Sequence, residues 1–166
     1  MNSPGFPTEI LPDHMLLYRI TRAIYADKLV ASGIENRWNH KGSFVIYTAS
    51  SASLACLENL VHTSGKLLYT QQYRLVVISI ATKSTITKVS LSSLPKHWQD
   101  VEHKSLTQNI GDKWYESQDS LLLQIPSAIV SGEHNFIIHT LHPDFKKVKI
   151  IQSTPFLFDQ RLKSGA

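Results

Sequence analysis

Short runs of β-branched and aromatic residues, separated by polar turns, set the fold class of this chain. The strongest is "LVVISI" at Leu75–Ile80, a composition that fits a buried strand. "HMLLYRI", "FVIYTA", "TITKVSL" and "HNFIIH" read the same way, and "KKVKIIQSTPFLFDQRL" alternates towards a last strand. "LLLQIPSAIV" is apolar, but Pro126 stops regular pairing there. Helical signals are fewer and shorter. "SSASLACLENLVHTS" opens on serines suited to an N-cap. "TRAIYADKL" reads as a short helix or turn, and "LSSLPKHWQD" as a turn into a short helix with Pro95 in its first turn. "SLTQNIGDKWYESQDS" reads as a helix broken at Gly111 or resuming around Trp114, and residues 31–43 read as a polar loop. Strands outnumber helices, so the expected class is a mixed α+β domain with no internal repeat.

At 166 residues the chain suits one domain with a real core. Hydrophobic residues make up 42% and charged residues 18%, which is globular rather than disordered. An irregular arm is expected over 1–13, where three prolines and a glycine cluster, and the domain over 14–166. No apolar run approaches the roughly 20 residues that span a bilayer, so no membrane association is expected. The N-terminal stretch lacks the basic and apolar segments of a signal peptide. The single Cys56 makes no internal disulfide, and a reducing, cytoplasmic setting is expected. The net charge is +4 and the pI about 9.2, a surplus that suits an anionic ligand or partner. The basic residues are scattered, with "FKKVK" among the densest stretches, and read as a solvated surface rather than a nucleic-acid stripe.

Glu58 draws attention first. On a helical wheel it shares a side with Leu54 and Val61, at the edge of a stripe that Leu57 and Leu60 extend. A carboxylate near a core is costly unless paired. It is either a flank residue or buried ion pair, or a functional group. Arg19, inside the apolar "LLYRI", needs an acidic partner or a phosphate if buried, or else faces water at an edge. Arg37 stands beside Trp38 and Asn39 in a turn-rich loop, where its fork matches phosphate oxygens or meets solvent. Tyr47 ends the next strand, as a core ring with a satisfied hydroxyl or as a stacking platform. Ser127, after Pro126, is a bulge serine or a hydroxyl aimed at a cleft. Asn135 either bonds its own turn or lines the same cleft.

Other chemistries lack their motifs. His134, His139 and His142 do not make H-E-x-x-H and no cysteine pair accompanies them, so no metal is expected. There is no Walker A loop, no G-x-G-x-x-G and no G-x-S-x-G elbow.

In order along the chain, "LYRI", "RWNHKGSFVIYTASSASLACLE", "IPSAIV", "NFIIHTLHPDF" and "FLFDQRL" resemble the RES-domain family of bacterial toxins, named for its Arg, Glu and Ser. The resemblance runs from about Leu16 to Leu162. Two departures stand out. Asn36 occupies a position where glycine usually precedes the Arg, and His139-Thr140 replaces a frequent Asn-Pro pair.

The resemblance implies an ADP-ribosyltransferase-like fold with a split β core around a NAD+ cleft. It implies a toxin that cleaves the nicotinamide–ribose bond, by hydrolysis or phosphorolysis, or that transfers ADP-ribose to a protein. It also implies an Xre-like antitoxin that covers the cleft in a hetero-oligomeric complex and supplies the only contact with nucleic acid. On this resemblance Arg19, Glu58 and Ser127 are the expected catalytic set, and Arg37, Tyr47 and Asn135 the expected NAD+ contacts. A carboxylate suits Glu58 to an oxocarbenium-like transition state, which is positive on the ribose. A nucleic-acid-binding or RNA-cleaving toxin is the reading from another class, and the chain lacks the aromatic-basic interleaving it needs.

Overall fold

The computed structural model describes residues 13–163. Of the expected arm, residues 1–12 lie outside the described residues. The chain falls into two compact units. One is drawn from Met1–Leu29, Ala49–Lys83 and Lys147–Ala166, the other from Val30–Thr48 and Ser84–Lys146.

In the first unit β1 (His14–Arg22) and β3 (Tyr73–Ala81) pair antiparallel over their whole length, from His14↔Ala81 to Arg22↔Tyr73. The "LVVISI" run explains why β3 is central. Val76, Val77, Ile78 and Ile80 are all buried in sequence, the pattern of a strand covered on both faces. Its other neighbour is β7 (Lys149–Phe156), antiparallel, with a register shift at Val77/Ile78. Pro155 is tolerated because β7 ends the strand order. Helix α1 (Ala52–His62) begins where expected: the Ser51 side chain accepts from the Leu54 amide at 3.1 Å. It is tied to β1 by the Asn59 side-chain amide, which donates to the Ile20 carbonyl at 3.2 Å. A second short helix, α2 (Gly65–Thr70), follows. Its N-cap, Ser64, makes no side-chain cap bond, and the sequence reading does not include this helix.

In the second unit β4 (Ile86–Lys88) and β5 (Leu122–Pro126) pair parallel, and β5 pairs antiparallel with β6 (His134–His139). Trp38, Trp98, Trp114, Leu123, Ile125 and Ile137 form its core. Strand β2 (Val45–Ala49) closes the list, with Tyr18↔Ala49 joining it to β1. The strand order is β4-β5-β6-β2-β1-β3-β7, so the expected mixed α+β class holds.

Two expectations are corrected. "LSSLPKHWQD" holds a 3-10 turn at Leu91–Ser93 and then plain turns; Pro95 starts no α-helix. Helix α3 (Lys104–Ser117) runs unbroken through Gly111. That glycine serves packing: a Cβ there would sit 1.7 Å from the Trp38 carbonyl oxygen. Helix propensity argues against glycine in mid-helix, but a backbone approach this close admits nothing larger.

Candidate active site

The loop that carries Arg37 is clamped from every side. The Asn36 amide donates to the Asn39 carbonyl at 2.9 Å, and the Arg37 amide to the Asn36 side-chain oxygen at 2.8 Å. The Trp38 amide donates to the Tyr47 hydroxyl at 3.2 Å, and that hydroxyl donates to the Asn39 side-chain oxygen at 2.7 Å. The Asn39 side-chain amide reaches the Ile34 and His40 carbonyls. Gly42 then turns the chain at φ +103°, a conformation that only glycine takes without strain.

Asn36 thus keeps the role of its position without needing glycine. Its φ lies outside the left-handed region, and its side chain caps the next amide. This departure from the family pattern leaves the loop intact.

Helix α3 holds the loop's other face. Thr107 is fully buried, and its hydroxyl donates to the Arg37 carbonyl at 2.6 Å. The buried Gln108 amide donates to the Asn36 carbonyl at 2.9 Å and to the Asn39 carbonyl at 3.2 Å. Asp112 accepts from the His40 amide at 3.1 Å, binds the His40 ring at 2.5 Å, and accepts from the Ser43 hydroxyl at 3.3 Å. None of these α3 residues was singled out from the sequence. The signal was available: 107 with 111, and 108 with 112, share helical faces at i,i+4 spacing, and all are polar or glycine.

With the Arg37 amide and carbonyl both bonded, the Arg37 side chain stands apart. Its guanidinium makes no hydrogen bond or ion pair among the described residues, and one terminal nitrogen (Nη1) is buried without a partner. A buried guanidinium nitrogen left unpaired is costly, and an anion with forked oxygens is its natural complement. Tyr47 lies close enough to feel its charge. Burial first, and then Asp112, push the phenol well above its ordinary pKa, while the Trp38 amide and Arg37 pull it back. Tyr47 is therefore a neutral hydrogen-bonding ring throughout the physiological range.

Ser127 and Asn135 are both buried in the same unit. The Ser127 oxygen accepts from the Ile129 and Val130 amides, each at 3.1 Å, so it caps the turn after β5. Asn135 pairs in register with Ile125, two residues before Ser127.

His139 is fully buried. Its Nδ1 accepts from the Leu141 amide at 3.2 Å and its Nε2–H donates to the Tyr115 carbonyl at 2.9 Å. Burial holds its pKa below the usual histidine value, and the neutral ring stacks on Tyr115 at 4.2 Å. Thr140 donates to the Phe44 carbonyl at 2.6 Å. The His139-Thr140 departure thus sits in a structural turn.

Arg19 and Glu58 belong to the first unit. Arg19 lies mid-strand on β1 opposite Val76 and is partly buried. It meets no carboxylate among the described residues, and burial lowers its pKa. The edge-strand reading fails, since β1 is paired on both sides. Glu58 is 21% exposed on α1, and its carboxylate lies 3.6 Å from the His62 ring one turn on. The apolar stripe beside it is narrower than the helical wheel implies. Leu54 is buried, but Leu57 is 39% and Val61 60% exposed, so Glu58 borders an open face. Among the described residues no three His, Cys, Asp or Glu side chains group as metal ligands, and no helix is long and apolar enough to cross a membrane.

The family follows from comparison with known proteins. The RES domain model matches residues 16–159, and the chain belongs to the RES-domain family. It is 38% identical over 154 residues to Toxin Res of Yersinia enterocolitica serotype O:8 / biotype 1B, covering 90% of this chain and 100% of that protein. It is 34% identical over 146 residues to the Prs ADP-ribosylating toxin of Sphingobium sp. (strain YBL2), covering 85% and 90% respectively. The fold is similar to a chain of the M. tuberculosis MbcT-MbcA toxin-antitoxin complex. The TM-score is 0.72 at 20% identity, over 87% of this chain and 85% of that one.

Proposed function

We propose that the chain is the toxin of a toxin–antitoxin pair and that it acts by cleaving the nicotinamide–ribose bond of NAD+. The observation that carries this reading is the Arg37 guanidinium, buried at one nitrogen and without a protein partner, on a loop whose four amides and the Asn36, Arg37 and Asn39 carbonyls are hydrogen-bonded. Such a group suits the pyrophosphate of a dinucleotide. Arg19, partly buried on β1 with its pKa lowered by burial, is the second arginine proposed for the ligand.

Cleavage breaks the C1″–N bond. The electron pair leaves with nicotinamide, which departs neutral, and positive charge develops on the ribose. Glu58 stabilises that charge or holds the 2″-hydroxyl. Tyr47 offers a neutral ring for the nicotinamide, and Ser127 and Asn135 hold the nicotinamide end. Attack by water gives ADP-ribose and releases a proton; attack by phosphate gives ADP-ribose-1″-phosphate. No metal takes part in this scheme.

ADP-ribosyl transfer to a cellular protein is the second reading, and the name of the Sphingobium relative favours it. NAD+ labelled in its adenine half separates the outcomes. Label on a protein band indicates transfer, free ADP-ribose indicates hydrolysis, and a phosphate-dependent sugar phosphate indicates phosphorolysis. Intact NAD+ with a folded, antitoxin-free protein refutes all three.

The partner in this reading is an Xre-like antitoxin that covers the NAD+ site in a hetero-oligomer. It alone contacts nucleic acid, and the pair acts in the cytoplasm. The structural neighbour comes from a toxin-antitoxin complex, which supports a partner of this kind. Co-expression with the adjacent gene product and size-exclusion chromatography test it.

A further inference from the structure

All four carbonyls of the Asn36–Asn39 loop are turned to α3. Those of Asn36 and Asn39 accept from Gln108, and that of Arg37 accepts from Thr107. The carbonyl of Trp38 rests over Gly111, where a Cβ would lie 1.7 Å away. The Thr107 oxygen is also 2.9 Å from the Lys104 carbonyl. Its single proton favours the shorter contact, which is the one to Arg37.

The loop's amides are equally committed, to Asn39, to the Asn36 side chain, to Tyr47 and to Asn36. The four amides and three of the four carbonyls of the loop are therefore hydrogen-bonded before a ligand arrives, and the fourth carbonyl, that of Trp38, is packed on Gly111. The guanidinium is the group left over. A binding group held in place in advance loses little freedom when it engages, and that saving appears as affinity.

We propose that Thr107 and Gln108 are positioning residues for NAD+: they touch no substrate and act by fixing Arg37. The proposal rests on the reading of Arg37 as an NAD+ contact. A purely structural role is the alternative, and a double-mutant cycle separates the two. Thr107→Val and Gln108→Met keep the volume and remove the donors.

In the purified full-length toxin, each substitution is expected to raise the KM for NAD+ roughly tenfold while changing kcat less than about threefold, the pattern of lost binding. Added to Arg37→Ala, each is expected to raise KM no further, because the group they position is gone. Thr107→Ser, which keeps the hydroxyl, restores the wild-type KM.

An unchanged KM in the single variants overturns the proposal. So does a penalty that persists undiminished beside Arg37→Ala, or a Thr107→Ser variant as impaired as Thr107→Val. If Gln108→Met does not fold by far-UV circular dichroism, the Thr107 pair carries the test; if Thr107→Val also fails to fold, the role is structural and the proposal falls. An Arg37→Ala variant with wild-type KM refutes the Arg37 reading itself, whereas a failed cycle beside an impaired Arg37→Ala refutes only the positioning.

Discussion

Gly111→Ala sets two effects against each other. In an unconstrained helix interior, alanine is favoured over glycine by about 1 kcal/mol. Here the new Cβ would stand 1.7 Å from the Trp38 carbonyl oxygen and 2.8 Å from its carbon, both backbone atoms. Real Cβ atoms essentially never approach closer than 3.0 Å, so the loop must retreat by about 1.3 Å. A shift of that size breaks the Thr107 bond to Arg37 and both Gln108 bonds. At about 1 kcal/mol each, these three bonds come to roughly 3 kcal/mol, and the carbonyls left unsatisfied add to that loss. The net expectation is a destabilisation of about 2–4 kcal/mol, since the propensity gain offsets only part of it. For a chain of this size that corresponds to a melting temperature lower by roughly 5–15 °C. Thermal unfolding followed by circular dichroism measures it. A melting temperature equal to or above the wild type would show that α3 and the loop do not meet as described, and the account of Arg37 would lose its support.

Three further outcomes are expected. Glu58→Gln removes the charge but keeps the shape, so NAD+ cleavage should fall about 100-fold or more with little change in melting temperature; a variant retaining a tenth of wild-type activity contradicts the electrostatic role. Tyr47→Phe deletes the hydroxyl that accepts from Trp38 and donates to Asn39. It should cost about 1–3 kcal/mol in denaturant unfolding, and a loss near zero removes Tyr47 from the clamp. His139 makes stability fall in mild acid. Its folded pKa is depressed by burial, so below the ordinary histidine pKa of about 6.5 the unfolded chain binds the proton first. Stability then drops by up to about 1.4 kcal/mol per pH unit until the folded-state pKa is reached. Unfolding of His139→Gln at pH 7 and pH 5 should show a smaller difference than wild type; an equal difference assigns the acid sensitivity elsewhere.

The strands were legible because their signal is local. "FVIYTA" became Val45–Ala49, and the "LVVISI" run marked the central strand of its unit. The start of α1 was legible too, from a serine whose side chain does cap it. What sequence could not show depended on distant contacts. Gly111 reads as a helix break, because its reason lies at Trp38, far along the chain. Leu57 and Val61 read as core, because a wheel gives spacing but not the neighbour that would cover them. The candidate site divides in the same way. Arg19 and Glu58 stand out as charges in apolar settings, and Arg37 as a fork beside Trp38 in a turn-rich loop. Thr107, Gln108 and Asp112 do not, because buried polar residues are recognised only by the carbonyls and amides they satisfy.

The central claim is tested most directly by nicotinamide release from NAD+ by the purified, antitoxin-free protein, with Glu58→Gln as its control. Sustained release by the wild type, abolished in a folded Glu58→Gln variant, is the predicted result. A wild-type protein that is folded and leaves NAD+ intact, with or without phosphate, would contradict it.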